Sequence, residues 1–290
     1  MIAKSTDIKL YLPNINWKTE TSRLDDFLNT AQQMVTYRIL GTEIESALET
    51  PIGQNDTDTH PVLRSLVKRA ICQTAFLDAI PILDLQLSEA GFVVQSNQAV
   101  SPASKERVEK LKEGTAQRKS QALDILTRFM LDNSRADDSA YHNWRGTEQF
   151  EYLSSGMIFS VDEYKRNFAT VKSFQEVVMT WDGYYKMIPK MKTVIHGIVA
   201  EFISDEYVKE LLEKKRDNET MVPIEREVLE YVCLATVAGS IDNEQLAKSM
   251  AIRARNIMEN HIDSFATFRN SPVFDKHGLK LGDGAVANLL

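Results

Sequence analysis

Glycine and proline are scarce in this chain, 12 and 8 of 290 residues or about 7% together, against an average nearer 12%. Sheets and irregular loops rely on these two residues for their turns, so the shortage favours long helices. Cysteine is scarcer still. Cys72 and Cys233 lie far apart, with no Cys-x-x-Cys pattern and no histidine beside them, which supports neither a disulfide framework nor a zinc site. Each reads as a small buried hydrophobe. No window approaches 18 consecutive apolar residues, and the opening MIAKSTDIKLYLPNINW has no continuous apolar core, so neither a membrane span nor a signal peptide is expected. A basic surplus is missing too: 34 Lys and Arg stand against 41 Asp and Glu, a net charge of -7. The deficit holds in both parts of the chain, 17 against 19 over residues 1–145 and 17 against 22 over the rest. Sequence-specific grip on nucleic acid, which neutralises phosphates with Lys and Arg, is not expected. The expectation is a cytoplasmic protein away from the membrane.

What is present is a foldable helical pattern. Hydrophobic residues make up 43% and charged residues 26%, ordinary for a globular chain. Residues 22–40 place Leu24, Phe27, Leu28, Ala31, Met34, Val35 and Ile39 on one helical face,. Gly41 interrupts this helix, and Thr42 with Glu45 fits a capping box opening a second, short helix to about Glu49,. From His60 the chain is apolar around most of a helix circumference, with a kink expected near Leu77–Ile80 from Pro81 and an end at Gly91,. Phe92, Val93 and Val94, with a second apolar cluster ending at Val100, suggest a small β-hairpin near 92–100,. Ser101-Pro102 then starts a charged helix to about residue 132,.

The polar stretch DNSRADDSAYHNWRGTE reads as a linker. This divides the chain into a helical domain with hairpin at 1–140, a second helical domain at 141–270 and an extended or disordered tail at 271–290. The second domain reads as a degenerate copy of the first. At one constant offset of 164, Met34, Val35, Ile39, Ala47 and Leu48 face Ile198, Val199, Ile203, Leu211 and Leu212, with Gly41-Thr42 facing Asp205-Glu206 beside Ser204. After a two-residue adjustment, Val62, Leu66 and Val67 face Val228, Val232 and Cys233. Any two amphipathic helices can be slid into such agreement. The shared order of helix, break, short helix, loop and buried helix favours duplication. The expected fold is mainly α, helical bundles with an internal duplication and one small hairpin.

Chemistry is hard to find in the pattern. There is no G-x-x-x-x-G-K-[ST], no strand-to-helix G-x-G-x-x-G and no G-x-S-x-G,. None of the five histidines has a partner three or four residues away on a helix; in Glu259-Asn260-His261-Ile262-Asp263 the ligand types fall two apart and point in different directions,. No catalytic, cofactor-binding or metal residue is assigned, no cofactor is expected, and the chain is not read as an enzyme. Two surface candidates remain. Lys105, Arg107 and Lys110 belong to a basic cluster interleaved with Glu106, Glu109 and Glu113, which reads first as a salt-bridged helix face and second as a contact for a nucleic-acid backbone or an acidic partner surface,. Trp181, Tyr184 and Tyr185 form an aromatic cluster suited to an interface or to packing between helices,.

The run from the central helix through AGFVVQSNQAVSPASKERVEKLKE, a buried helix, a small hairpin and a Ser-Pro-started charged helix, resembles the head-to-tail connector (adaptor) proteins of tailed bacteriophages and prophage-borne proteins of similar length. The resemblance covers roughly residues 1–132. It implies a non-enzymatic virion assembly protein acting by protein-protein contacts, as a homo-oligomer or among virion neighbours, with the strand edge at Phe92, Val93 and Val94 as a docking element. Such adaptors are about half as long as this chain. The alternative is a helical module recruiting a cytoplasmic partner through Trp181, Tyr184 and Tyr185.

Overall fold

The computed structural model describes residues 1–12, 24–50, 57–82, 85–88, 91–94, 105–173, 175 and 177–277. The chain divides into two compact units, Met1–Leu153 with Met179–Gly183, and Ser154–Val178 with Tyr184–Leu290. The boundary therefore falls after residue 153, not at 140. The polar stretch expected to be a linker is tied into the first unit, because Trp144 within it is buried and donates its indole N–H to the Ile39 carbonyl at 2.7 Å.

In the first unit, α1 (Ser5–Tyr11) is preceded by Lys4, whose amide donates to the Asp7 carboxylate at 2.8 Å. Helix α2 (Asp25–Val35) buries Leu28, Ala31 and Val35 and runs into a π-helical turn, Thr36–Leu40, that buries Ile39 and Leu40. Gly41 closes it and α3 (Thr42–Glu49) follows. The capping box expected there does not form: Thr42 lies inside the helix and Gly41 is the cap residue, with no side-chain cap bond. Helix α4 (Pro61–Ala79) begins with a proline at its first turn, where the missing amide costs nothing,. It buries Leu63, Val67, Ala70 and Ile71, then every residue from Cys72 to Phe76, and packs between α2 and α5 (Lys105–Asn133).

Pro81 stops α4 instead of kinking it. Helical structure ends at Ala79, two residues before a residue that can supply no amide donor,. The chain released beyond forms β1 (Leu85–Ser88) and β2 (Gly91–Val94), paired antiparallel with Leu85 opposite Val94 and Ser88 opposite Gly91. The hairpin expected at 92–100 is thus not found; Phe92, Val93 and Val94 pair backward with 85–87, while 95–100 and the Ser101-Pro102 helix start lie outside the described residues. A 3-10 turn at His142–Gly146 and α6 (Glu148–Leu153) complete the unit.

The second unit begins with α7 (Val161–Val171), capped by Ser160, whose hydroxyl accepts from the Glu163 amide at 3.1 Å. Helix α8 (Trp181–Val194) continues through a π-helical turn, Ile195–Val199, into α9 (Ala200–Ile203). Ser204 breaks the run and caps α10 (Asp205–Asp217). Helix α11 (Pro223–Ser240) buries Val228, Val232 and every residue from Cys233 to Ser240, packing on α7 and α12 (Glu244–Asn260). Its Gly239 lies so close to Val194 that an added Cβ would meet Cγ1 at 2.6 Å. Short α13 (Ala266–Arg269) and α14 (Pro272–His277) follow. The tail expected from 271 therefore starts helical, with Phe268 and Phe274 edge to face at 5.5 Å. Residues 278–290 lie outside the described residues.

Both units contain a helix with a π turn, a positive-φ break, a further helix and a proline-started helix buried in its second half. The breaks coincide at Gly41 and Ser204, one residue away from the alignment expected. In the proline-started helices, burial agrees at an offset of 165, with Leu63, Val67, Ala70 and Ile71 matching Val228, Val232, Ala235 and Thr236. The expected pairing of Val62 with Val228 fails, since Val62 is exposed and Val228 fully buried.

Candidate functional site

The break at Gly41 shapes a groove on the surface of the first unit. A π turn carries one residue more than an α turn and re-aims the side chains after it. Here it ends with the Gly41 amide donating to the Thr36 carbonyl at 2.9 Å. Gly41 then takes φ 77° and ψ 165°, a conformation essentially restricted to glycine. The segment expected as a linker packs against this turn: the Trp144 indole holds the Ile39 carbonyl, and the Gln149 side-chain amide donates to the Tyr37 carbonyl at 3.0 Å. The Thr147 hydroxyl donates to the Trp144 carbonyl at 2.7 Å and fixes the corner between them.

These contacts leave an open groove of about 390 Å³ between the break and α6, lined by residues that include Thr36, Tyr37, Glu43, Glu45, Glu148 and Gln149. Its lining holds three carboxylates and no Lys, Arg or His. Glu45 is steadied by the Gln32 side-chain amide at 2.7 Å, and the Tyr37 ring is 75% exposed. The Thr36 hydroxyl is buried and has no hydrogen-bond partner. An adjoining depression shares Glu43 and Thr147 and adds His142 and Arg145. None of these residues was a sequence-level candidate. The one available signal was Trp144, a large apolar ring in a polar run, which seeks a core more often than it marks a linker.

The sequence candidates fare unevenly. Phe92, Val93 and Val94 form β2, a strand in a sheet of two; their side chains lie outside the described residues. Lys105, Arg107 and Lys110 are all exposed at the start of α5, a helix with no buried residue before Thr115. Lys110 pairs with Glu106 at 2.7 Å and Lys112 with Glu109 at 3.0 Å, so the salt-bridged helix face describes much of this cluster. Lys119 instead reaches Asp182, which also takes Arg38, both at 2.8 Å. Trp181 and Tyr184 are not surface residues. Both are fully buried, Trp181 donating its indole N–H to Thr127 at 3.0 Å and Tyr184 its hydroxyl to the Ile158 carbonyl at 2.7 Å. Tyr185 is half-buried. Packing, not recognition, accounts for Trp181 and Tyr184.

The second unit holds one buried polar cluster. The Lys215 ammonium contacts the Glu163 carboxylate, the Met157 carbonyl and, at 3.7 Å, the Cys233 sulfur, and lies 4.8 Å from the centre of the Phe159 ring. Burial works against the charged ammonium, but the Glu163 carboxylate in contact with it favours the charge, and its pKa is raised,. Burial pushes the Cys233 thiol up to about 11 and the Cys72 thiol to about 12. Neither presents a thiolate at neutral pH, which is the form that attacks or ligates. Glu259 bonds Arg255 at 2.7 Å. Among the described residues no group of three His, Cys, Asp or Glu could hold a metal ion, and no helix is long and apolar enough to cross a membrane.

Residues 23–153, just under half of the chain, match the profile of a family described as a family of unknown function, DUF6712. The match ends at the residue that closes the main segment of the first unit. No curated protein and no solved structure matches the chain.

Proposed function

We propose that the chain is a non-enzymatic assembly subunit of the head-to-tail connector type, built from two versions of one helical unit and working by contacts with further copies of itself and with virion neighbours, without a cofactor. The observation that supports this reading is the β1–β2 ladder. It is a two-stranded sheet, and each strand has an outer edge with no strand paired to it among the described residues. Two strands alone are marginal in water, and an unpaired edge is a template for a strand from another chain. A neighbour's strand added there would stabilise both partners. The recruiting-module alternative loses two of its three contact residues, since Trp181 and Tyr184 are fully buried.

Native mass measurement on the full chain tests the reading, with a closed homo-oligomer expected and a monomer at high concentration overturning it. Phe92→Pro and Val93→Pro sharpen it. Successive strand amides point to opposite edges, so one of these two removes an amide facing outward. At least one should dissociate the oligomer while the helical circular dichroism stays unchanged; an oligomer indifferent to both would rule out edge pairing.

A further inference from the structure

We infer that Lys215 and Cys233 form an oxidation site in the second unit, where hydrogen peroxide couples the Lys215 nitrogen to the Cys233 sulfur in a reversible sulfenamide bond. The site goes beyond the assembly reading and does not depend on it. A lysine ammonium has three donors, and those of Lys215 go to the Glu163 carboxylate, the Met157 carbonyl and, at 3.7 Å, the Cys233 sulfur. The Cys233 thiol turns its own proton to the Met157 carbonyl at 3.8 Å, so a sulfur lone pair is left for the ammonium. A nitrogen, a sulfur and a carboxylate able to take a proton are thus gathered from α10, α11 and α7. Cys233 is 5% exposed and the Lys215 side chain 15%. That enclosure bars bulky reagents, while local opening admits a molecule as small as peroxide.

The chemistry balances within the cluster and its oxidant. The Cys233 sulfur attacks one peroxide oxygen, the O–O bond breaks, and the thiol proton leaves with the other oxygen as water. Sulfur is oxidised by two electrons to a sulfenic acid, and the peroxide is reduced. The thiol is protonated at neutral pH, so this step is slow; the ammonium beside it favours the thiolate that reacts,. A sulfenic acid condenses with a nearby nitrogen. Lys215 hands one proton to Glu163, its nitrogen attacks the sulfur, and the S–O bond breaks. The departing hydroxide takes a second proton from the nitrogen and leaves as water. An ammonium and a carboxylate thereby become a neutral sulfenamide and a neutral carboxylic acid, so no buried charge is stranded. Glu163 still accepts the Phe159 amide at 2.7 Å. The new bond ties α10 to α11, and the flexible four-carbon stem of lysine supplies the travel.

Titration of the full-length chain with hydrogen peroxide, read by intact mass and peptide mapping, tests the site. The expected product has lost two hydrogens and yields one joined peptide holding both Lys215 and Cys233, and dithiothreitol in denaturant returns it to the starting mass. Lys215→Arg keeps a cation beside the sulfur but presents no amine, so the joined peptide should fall by about tenfold or more while Cys233 collects oxygen atoms instead. Oxygen added at Cys233 of the wild-type chain with Lys215 still free overturns the inference. So does a disulfide from Cys72 to Cys233, a link that survives dithiothreitol, or a chain that peroxide leaves unchanged. Should Lys215→Arg fail to fold, the wild-type peptide map decides alone.

Discussion

Gly41 and Ser204 build nearly the same backbone break with different chemistry. Gly41 has φ 77° and ψ 165°, and Ser204 has φ 72° and ψ 150°. At Gly41 the conformation is free of steric penalty, and space is the constraint: an added Cβ would lie 3.1 Å from the Gln149 side-chain oxygen. At Ser204 the Cβ is already present in a region that disfavours it, and the side chain recovers part of the loss by accepting the Tyr207 amide at 3.2 Å,. The first unit keeps its break unstrained beside an open groove. The second tolerates strain at a fully buried break.

The central helices differ in the same way. In α11 the buried hydroxyls are satisfied, Thr236 by the Val232 carbonyl at 2.7 Å and Ser240 by the Val237 carbonyl at 2.8 Å and Tyr164 at 3.1 Å. In α4 the Gln73 carbonyl oxygen and the Thr74 hydroxyl are buried without partners. The second unit is the more completely satisfied along its central helix, and that difference can be tested by substitution.

The largest effect is expected at Gly239. Gly239→Ala forces a methyl against Val194 and should destabilise by about 2–3 kcal/mol,; chemical denaturation measures it, and an unchanged midpoint would show that the helices can part without loss. Gly41→Ala should come next, at about 1–3 kcal/mol, from positive φ and the Gln149 contact together,. Ser204→Gly should act in the opposite direction. It relieves the strain and loses a cap that glycine replaces at a few tenths of a kcal/mol, so a gain of about 1 kcal/mol is expected. Loss of stability in Ser204→Gly would erase the contrast between the two breaks.

Much of the fold was legible in the sequence because helices announce themselves locally. The face of Leu28, Ala31 and Val35 and the break at Gly41 each depend on residues within one or two turns. The groove was not legible, because Trp144 meets Ile39 across 105 residues and no local pattern encodes that meeting. The hairpin was misplaced for a related reason. Phe92, Val93 and Val94 favour an extended chain by residue type, but strand pairing is non-local, and the end of α4 before Pro81 leaves 85–88 available as the neighbour,. Trp181 and Tyr184 were ambiguous by type, since an aromatic ring serves an interface or a core equally well.

The smallest expected effects separate the two central helices most cleanly. At the offset of 165 set by the burial pattern, Thr74 falls opposite Gly239 and Ile71 opposite Thr236, so the two units keep their buried threonines at different places. Thr74→Val exchanges a hydroxyl without a partner for a methyl of nearly the same shape, which removes a desolvated polar group and should stabilise by about 1 kcal/mol,. Thr236→Val removes a hydroxyl whose bond to Val232 is made, and should cost about 0.5–1 kcal/mol,. Opposite signs from the same chemical change, read as shifts in denaturation midpoint, would tie the difference between the units to hydrogen-bond satisfaction. Equal signs would mean that the methyl's packing decides both, and the contrast along the central helices would then rest on Gly239 alone.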